Sequence, residues 1–272
     1  MTEKEYRTHP AISRSELWVI NESPEKFKFF KEHPLPPTPA LLFGQYLHKL
    51  ILQPETLDED FVVMPRIDRR TSAGKAAYEE FVERAFGKVL VTACEAEQAA
   101  EMRDALMANP IAAPLLTGER ERAFFWTDED TGEDCKCRVD VITALEDGRV
   151  AVIDYKTTKS ANPNVFNNEI YRYGYHFQGG MYTDGVMNAL ELPERPAFIF
   201  IAQEKTPPYA VDVVEVTPDV MTAGVDKFRE LIGIYHNCKE TGYWYGYNGP
   251  FGDINEAYLP GYMTLGDKED DE

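Results

Sequence analysis

In the stretch Val150–Lys156 (VAVIDYK), an aspartate and a lysine stand two residues apart behind four apolar residues. Residues two apart on a β-strand share a face, so Asp154 and Lys156 would emerge together from a central, buried strand. Charged side chains are seldom buried without a reason. One reason is chemical: a carboxylate and an ammonium converging on one substrate. The other is a structural ion pair at a strand end. A second Asp-x-Lys triplet, Asp134-Cys135-Lys136, lies at a polar turn and carries less weight.

The segment before it, Cys135–Leu145 (CKCRVDVITAL), sets Asp140 between two valines. A short turn at 146–149 folds this strand onto the next, and counting back from the turn places Asp140 beside Asp154. Two carboxylates so close repel unless a cation neutralises them. Hard divalent cations take oxygen ligands, and Mg²⁺ accepts a few carboxylates plus waters. The alternative pairs Asp140 with Arg138 or Arg122.

Other residues depend on what packs against these strands. Glu121 opens the preceding strand (ERAFFW) and can reach the same sheet end, or stay at the surface beside Arg120 and Arg122. His48 sits in the apolar helix LLFGQYLHKLILQ, where it is a core histidine unless that helix meets the carboxylate strands. Gln178 and Tyr182 are one helical turn apart on a helix over 173–190. Gly179-Gly180 between them permits close approach of another backbone or of DNA. Residues 66–75 (RIDRRTSAGK) carry Arg66, Arg69, Arg70 and Lys75 against Asp68, which suits phosphate contacts or a solvated basic loop.

The elements that must position these groups follow from pattern. Two short helices span Ser13–His33, with Ser15 capping the first and Ser23-Pro24 starting the second. A Pro-rich hinge, His33–Pro39, leads to a helix over Ala40–Leu52. Residues 55–70 read as irregular, and helices follow at Ser72–Phe86 and Thr92–Ala108, the latter opened by a Thr92/Glu95 capping box. Strands at Arg122–Thr127, Cys135–Leu145 and Val150–Thr157 form an antiparallel meander. The 173–190 helix crosses to strands at Pro196–Gln203 and Ala210–Val216, and a helix from Thr217-Pro218 to about Lys239 ends the pattern. The expectation is one α/β domain over 1–265, with a helical N-terminal part at about 10–115 and a core at about 116–240. An acidic tail, 266–272, is expected to be disordered.

Composition narrows the function. The 272 residues carry a formal charge of −19, which excludes nucleic acid held by bulk charge and leaves a few local cations and a metal site. The four cysteines lack CxxC spacing, no P-loop is present, and no apolar run approaches the ~20 residues of a membrane span. No secretory signal is visible, so a reducing compartment and no membrane partner are expected.

In order, a helix bearing His48, then Glu121, Asp140, Asp154-Tyr155-Lys156 and Gln178-x-x-x-Tyr182 resemble the PD-(D/E)XK nuclease superfamily. The Gln-x-x-x-Tyr helix points to the branch with lambda-type exonuclease, RecB-like nuclease domains and the CRISPR-adaptation nucleases. Ile12-Ser13-x-Ser15, FGQYLHKLILQP at 43–54 and DRRTSAGKAAYEEF at 68–81 resemble the RecE exonuclease family, exonuclease VIII. The first motif departs from the pattern, with Val139 where proline is usual.

The resemblance implies a restriction-endonuclease-like core, a mixed central sheet flanked by helices. It implies metal ligands at His48, Asp140, Asp154 and the Tyr155 carbonyl, for Mg²⁺ or alternatively Mn²⁺. Lys156 would act on the attacking water, Glu121 as an outer carboxylate, and Gln178 and Tyr182 as orienting groups. The implied activity is 5′→3′ processive degradation of double-stranded DNA ends, leaving 3′ overhangs for recombination. A homo-oligomeric ring (tetramer or trimer), a single-strand annealing partner and the cytoplasm of a bacterial or phage-infected host go with it. The alternatives are an endonuclease or single-strand-trimming nuclease like those of CRISPR adaptation, and a non-catalytic acidic binding protein or DNA mimic.

Overall fold

The hairpin that carries both aspartates is built by its turn. Glu146-Asp147-Gly148-Arg149 closes through Leu145 N–H donating to the Arg149 carbonyl (2.8 Å) and Gly148 N–H donating to that of Leu145 (2.9 Å). Gly148 sits at φ +86°, a conformation that favours glycine. The computed structural model describes residues 1 and 3–259; the acidic tail at 266–272 lies outside the described residues.

The N-terminal part runs α1 (Glu3–Thr8), β1 (Ile12–Ser13), α2 (Arg14–Glu22), α3 (Pro24–Glu32), α4 (Pro39–Leu52) and α5 (Leu57–Asp60). It continues with β2 (Phe61–Met64), α6 (Ser72–Arg84), β3 (Val89–Thr92), α7 (Ala93–Met107) and α8 (Ala112–Leu115). The remainder is β4 (Glu119–Thr127), β5 (Asp134–Ala144), β6 (Val150–Thr158), α9 (Pro163–Arg172), α10 (Tyr175–Ala189), β7 (Ala197–Glu204), β8 (Val211–Glu215) and α11 (Pro218–Thr241). The architecture is a mixed sheet flanked by helices, as the pattern implies. β4, β5 and β6 are antiparallel neighbours, β7 joins β6 in parallel after α9 and α10, and β8 returns antiparallel to β7.

Several local expectations change. The segment read as irregular contains α5 and β2, and β2 pairs in parallel with β3 in a separate two-stranded sheet. The N-terminal part is therefore not wholly helical, and it also lends β1 to β5 of the main sheet. The N-cap of α2 is Ser13, not Ser15: the Glu16 carboxylate accepts from the Ser13 N–H (2.9 Å) and hydroxyl (2.6 Å). Glu121 lies inside β4, two residues past its start.

The sheet separates two cores. On one face Cys137, Val139, Val152, Phe198 and Phe200 pack with Phe177 and Met181 of α10 and Phe228 and Leu231 of α11. On the other, Val141, Ala151, Ile153 and Ile201 pack with Leu47 and Ile51 of α4 and Met102 and Leu106 of α7. No helix among the described residues is long and apolar enough to cross a membrane.

The glycine pair of α10 serves this packing. A Cβ on Gly180 would lie 2.4 Å from the Gly224 carbonyl carbon of α11, so the approaching partner is a protein backbone. Gly180→Ala is expected to cost about 1–3 kcal/mol by forcing the two helices apart. Gly44→Ala, where a Cβ meets nothing within 4 Å, serves as the control. Urea midpoints of the two variants check this.

Candidate active site

The site lies where the sheet divides. β4 occupies one edge of β5; on the other edge β6 pairs only with Val141–Ala144, and β1 takes Cys135–Lys136. The β5–β6 ladder ends at Val141 opposite Ile153, and the next pair in that register is Asp140 and Asp154. Val139 and Val141 would share a face on a regular strand. Instead Val139 packs in one core and Val141 in the other. The alternation slips at Asp140, and on β4 the facing residue Glu121 has φ +51°. A left-handed non-glycine residue stores on the order of 1–3 kcal/mol of strain. This paired irregularity re-aims both carboxylates into the fork, as bulges do.

His48 reaches that fork from α4, whose Leu47, Leu50 and Ile51 are anchored in the core. Its Nε2 is 2.8 Å from Asp140 Oδ2 and its Nδ1 is 3.2 Å from Glu121 Oε1. Burial pushes the imidazole down, but Asp140 and Glu121 outweigh it and raise its pKa to about 10. Glu121 is held from behind by Arg138 Nε at 2.9 Å. Asp140 Oδ2 also accepts the Tyr155 N–H at 2.8 Å. Burial pushes the Asp140 carboxyl up, yet His48, Lys156 and that N–H together hold it below the usual carboxylate value. Tyr155 thus meets Asp140 through its N–H, while its hydroxyl donates to Gln203 Oε1.

Asp154 is 2 % exposed. Its Oδ1 accepts from the Gln178 amide. Its Oδ2 is ion-paired with Lys156 Nζ at 2.6 Å and accepts from no other group among the described residues. Burial raises its pKa above the usual carboxylate value; Lys156 opposes that rise and Asp140 adds to it. Lys156 Nζ lies 5.0 Å over the Tyr175 ring. Tyr182, one turn after Gln178, turns its ring edge toward Phe198 at 6.4 Å, and burial pushes its phenol up.

One donor atom each from His48, Glu121 and Asp140 lies within 4.8 Å of the others. Together with the neighbouring Asp154 carboxylate, whose Oδ2 meets Lys156, this donor set fits a divalent cation. Carboxylates suit Mg²⁺ and Mn²⁺, and an imidazole ligand shifts preference toward the softer ion. Glu121 stands nearer to a ligand position than the outer one expected of it. Asp154 faces Lys156 and Gln178, beside the three-residue cluster.

A cation taking His48 must displace its proton. Apparent Mn²⁺ affinity is therefore expected to rise with pH between about 6.5 and 10, with close to one proton released near neutral pH. Calorimetry in buffers of different ionisation enthalpy measures that number, and His48→Gln should reduce it towards zero. Without cation, the raised histidine stabilises the fold fully below its ordinary value near 6.5. That contribution is lost as pH climbs through about 10.

The basic segment fares differently. Arg66 forms two 2.8 Å bonds to Glu97, and Arg70 pairs with Asp68 at 2.9 Å. Arg69 lies 4.7 Å over the Tyr78 ring. Among the described residues, Lys75 has no acidic partner. Two of the four cations read as phosphate contacts are thus already neutralised.

Tyr175 and Arg14 carry no signal in the sequence, and Arg138, a candidate partner for Asp140, pairs with Glu121 instead. Tyr175 lies under Lys156, and Arg14 donates to the Gly174 carbonyl at 2.9 Å with its Nε buried and unpartnered. Arg14 lies between the two serines of a motif already singled out; nothing in its own spacing marks it.

A family model described as "PDDEXK-like domain of unknown function (DUF3799)" matches residues 13–251. No curated protein sequence matches. The fold is similar to a crystal structure named "Putative exonuclease" from Eubacterium rectale, with 15 % identity, TM-score 0.65 and 99 % of each chain covered. A second solved structure, SSO0001, covers 71 % of this chain and 86 % of its own at 16 % identity, but its TM-score of 0.31 is too low to bear on the fold.

Proposed function

The chain belongs to the PDDEXK-like family, and from that premise we propose that it is a divalent-metal-dependent exonuclease acting on double-stranded DNA ends. The observation that carries this is the fork between β5 and β6. There Asp140 and Asp154 come from adjacent strands, Lys156 shares a strand with Asp154, and Gln178 reaches in from α10. A divalent cation, when bound, would neutralise charge building up on the scissile phosphate and acidify a water.

The chain's own residues do the rest. His48, Glu121 and Asp140 hold the cation, with Asp154 at its flank. Lys156, the one cation directed at the carboxylates from β6, faces the phosphate and positions the attacking water. Gln178 fixes the Asp154 carboxylate through Oδ1 so that Oδ2 stays beside Lys156. Tyr182 packs behind Gln178 and keeps that helix face in place. Arg69 and Lys75, the less neutralised pair of the basic segment, contact the DNA backbone.

Attack on the 5′-ended strand, processivity through a ring of identical subunits, and delivery of the 3′ overhang to a single-strand annealing protein complete the reading. Their support is the resemblance of residues 12–15, 43–54 and 68–81 to the RecE family; the name of the Eubacterium rectale structure supports an exonuclease and no more. Purified protein incubated with linear and with circular duplex DNA, with and without Mg²⁺ or Mn²⁺, tests it. Nucleotide release from linear DNA alone, only with cation, is expected. Cutting of the circle would point to an endonuclease, and no release from either would overturn the reading.

A further inference from the structure

The connection from α9 to α10 reads Tyr171-Arg172-Tyr173-Gly174-Tyr175, and it borders Lys156. The ring of Tyr173 is 5.7 Å from that of Tyr175, at an interplanar angle of 43°. Tyr175 lies under Lys156 Nζ, so contacts run from the lysine through Tyr175 to Tyr173. Tyr173 is 43 % exposed. The guanidinium of Arg172 lies 5.5 Å over the Tyr173 ring, with no acidic partner among the described residues.

The turn beneath this exposed ring is fixed from the inside. Gly174 has φ +66°, and a Cβ there would lie 2.5 Å from atoms of the Trp18 ring. Arg14 donates to the carbonyls of both Tyr173 and Gly174, and its guanidinium lies 5.5 Å over Trp18. A partly buried arginine and a tryptophan thus fix the turn that carries one half-exposed tyrosine. Exposure of a tyrosine is common, but a ring held on a fixed turn beside the lysine is a preorganised surface for a ligand.

We propose that Tyr173 is a stacking platform for a nucleobase of the strand whose phosphate meets Lys156, with Arg172 contacting an adjoining phosphate. The proposal rests on the nuclease reading and deepens it, assigning a substrate contact outside the carboxylate cluster. Every base has a π-face, so such a platform grips a strand without regard to sequence. The adjacent cation complements the phosphate that each base carries with it.

The test uses the full chain with Ca²⁺ in place of Mg²⁺ and duplexes carrying 2-aminopurine at each of the last four positions of either strand. Stacking is expected to quench the fluorophore at one or two positions in the wild type. Tyr173→Ala should abolish that quench and weaken duplex binding about fivefold or more, while Tyr173→Phe, which keeps the ring, should restore both. An unchanged quench and affinity in Tyr173→Ala would overturn the platform while leaving the nuclease reading intact. Failure of the wild type to bind any of the duplexes, together with no nucleotide release in Mg²⁺, would overturn both.

Discussion

Asp154→Asn is expected to lower DNA hydrolysis by at least about 10³-fold, equivalent to ~4 kcal/mol of barrier, without lowering the melting temperature of the cation-free protein. The two halves share a cause. The Asp154 carboxylate is 2 % exposed, lies next to Asp140 in the sheet register and pairs through Oδ2 with Lys156. Burial raises its pKa, so its ionised form is a net burden on the fold above the ordinary carboxylate range. Asparagine keeps the shape and can still accept from Gln178, yet removes the charge. Such a burden is retained where the charge serves to hold a cation. Initial rates at saturating Mg²⁺, with melting curves in a chelator, measure both halves. A variant that kept its rate would remove Asp154 from the chemistry, and a large fall in melting temperature would mean that its bonds to Gln178 and Lys156 outweigh the burial penalty.

How far the site could be seen in advance depended on which physical scale set each residue. Asp140 beside Asp154 was countable, because a short turn with a glycine at position 148 fixes the register of a hairpin. His48 could be flagged by type and no more, since only tertiary packing of α4 decides whether it meets the strands. Glu121 was misplaced for a different reason. ERERAFFWT reads as a regular strand, and nothing local announces a left-handed φ or a slip in alternation at its partner. Glu121 meets His48, which arrives from α4, and Arg138, which comes from the neighbouring strand β5. The pairing of Arg66 within the basic segment was hidden for the same reason: Glu97, its partner, lies 31 residues downstream. The strands and long helices were legible because their apolar periods suffice. α5, β2 and β3 are four residues each, too short for a period to register.

The largest stability effect is expected away from the site, at Arg229. This residue of α11 pairs with Asp128 at the β4–β5 turn and, at 2.6 Å, with Asp184 of α10. The two carboxylates are 1 % and 5 % exposed. Asp128 also closes its own turn by accepting from the Thr131 N–H (3.0 Å) and hydroxyl (2.7 Å). Asp184 has a second partner in Arg195. Arg229→Ala leaves Asp128 buried with no cation in contact, held only by the neutral donors of its own turn. Removing one member of a buried network costs about 3–5 kcal/mol, because the charge left behind cannot rehydrate. The lower end applies here, since the guanidinium itself is 38 % exposed and partly screened. The cost should come from the stranded carboxylate rather than from lost packing. Combining Arg229→Ala with Asp128→Asn is therefore expected to recover most of the urea midpoint, and a double-mutant cycle isolates that coupling. If the double variant is no more stable than Arg229→Ala alone, the arginine acts through its methylene stem against Phe228 instead, over whose ring its guanidinium lies at 4.8 Å.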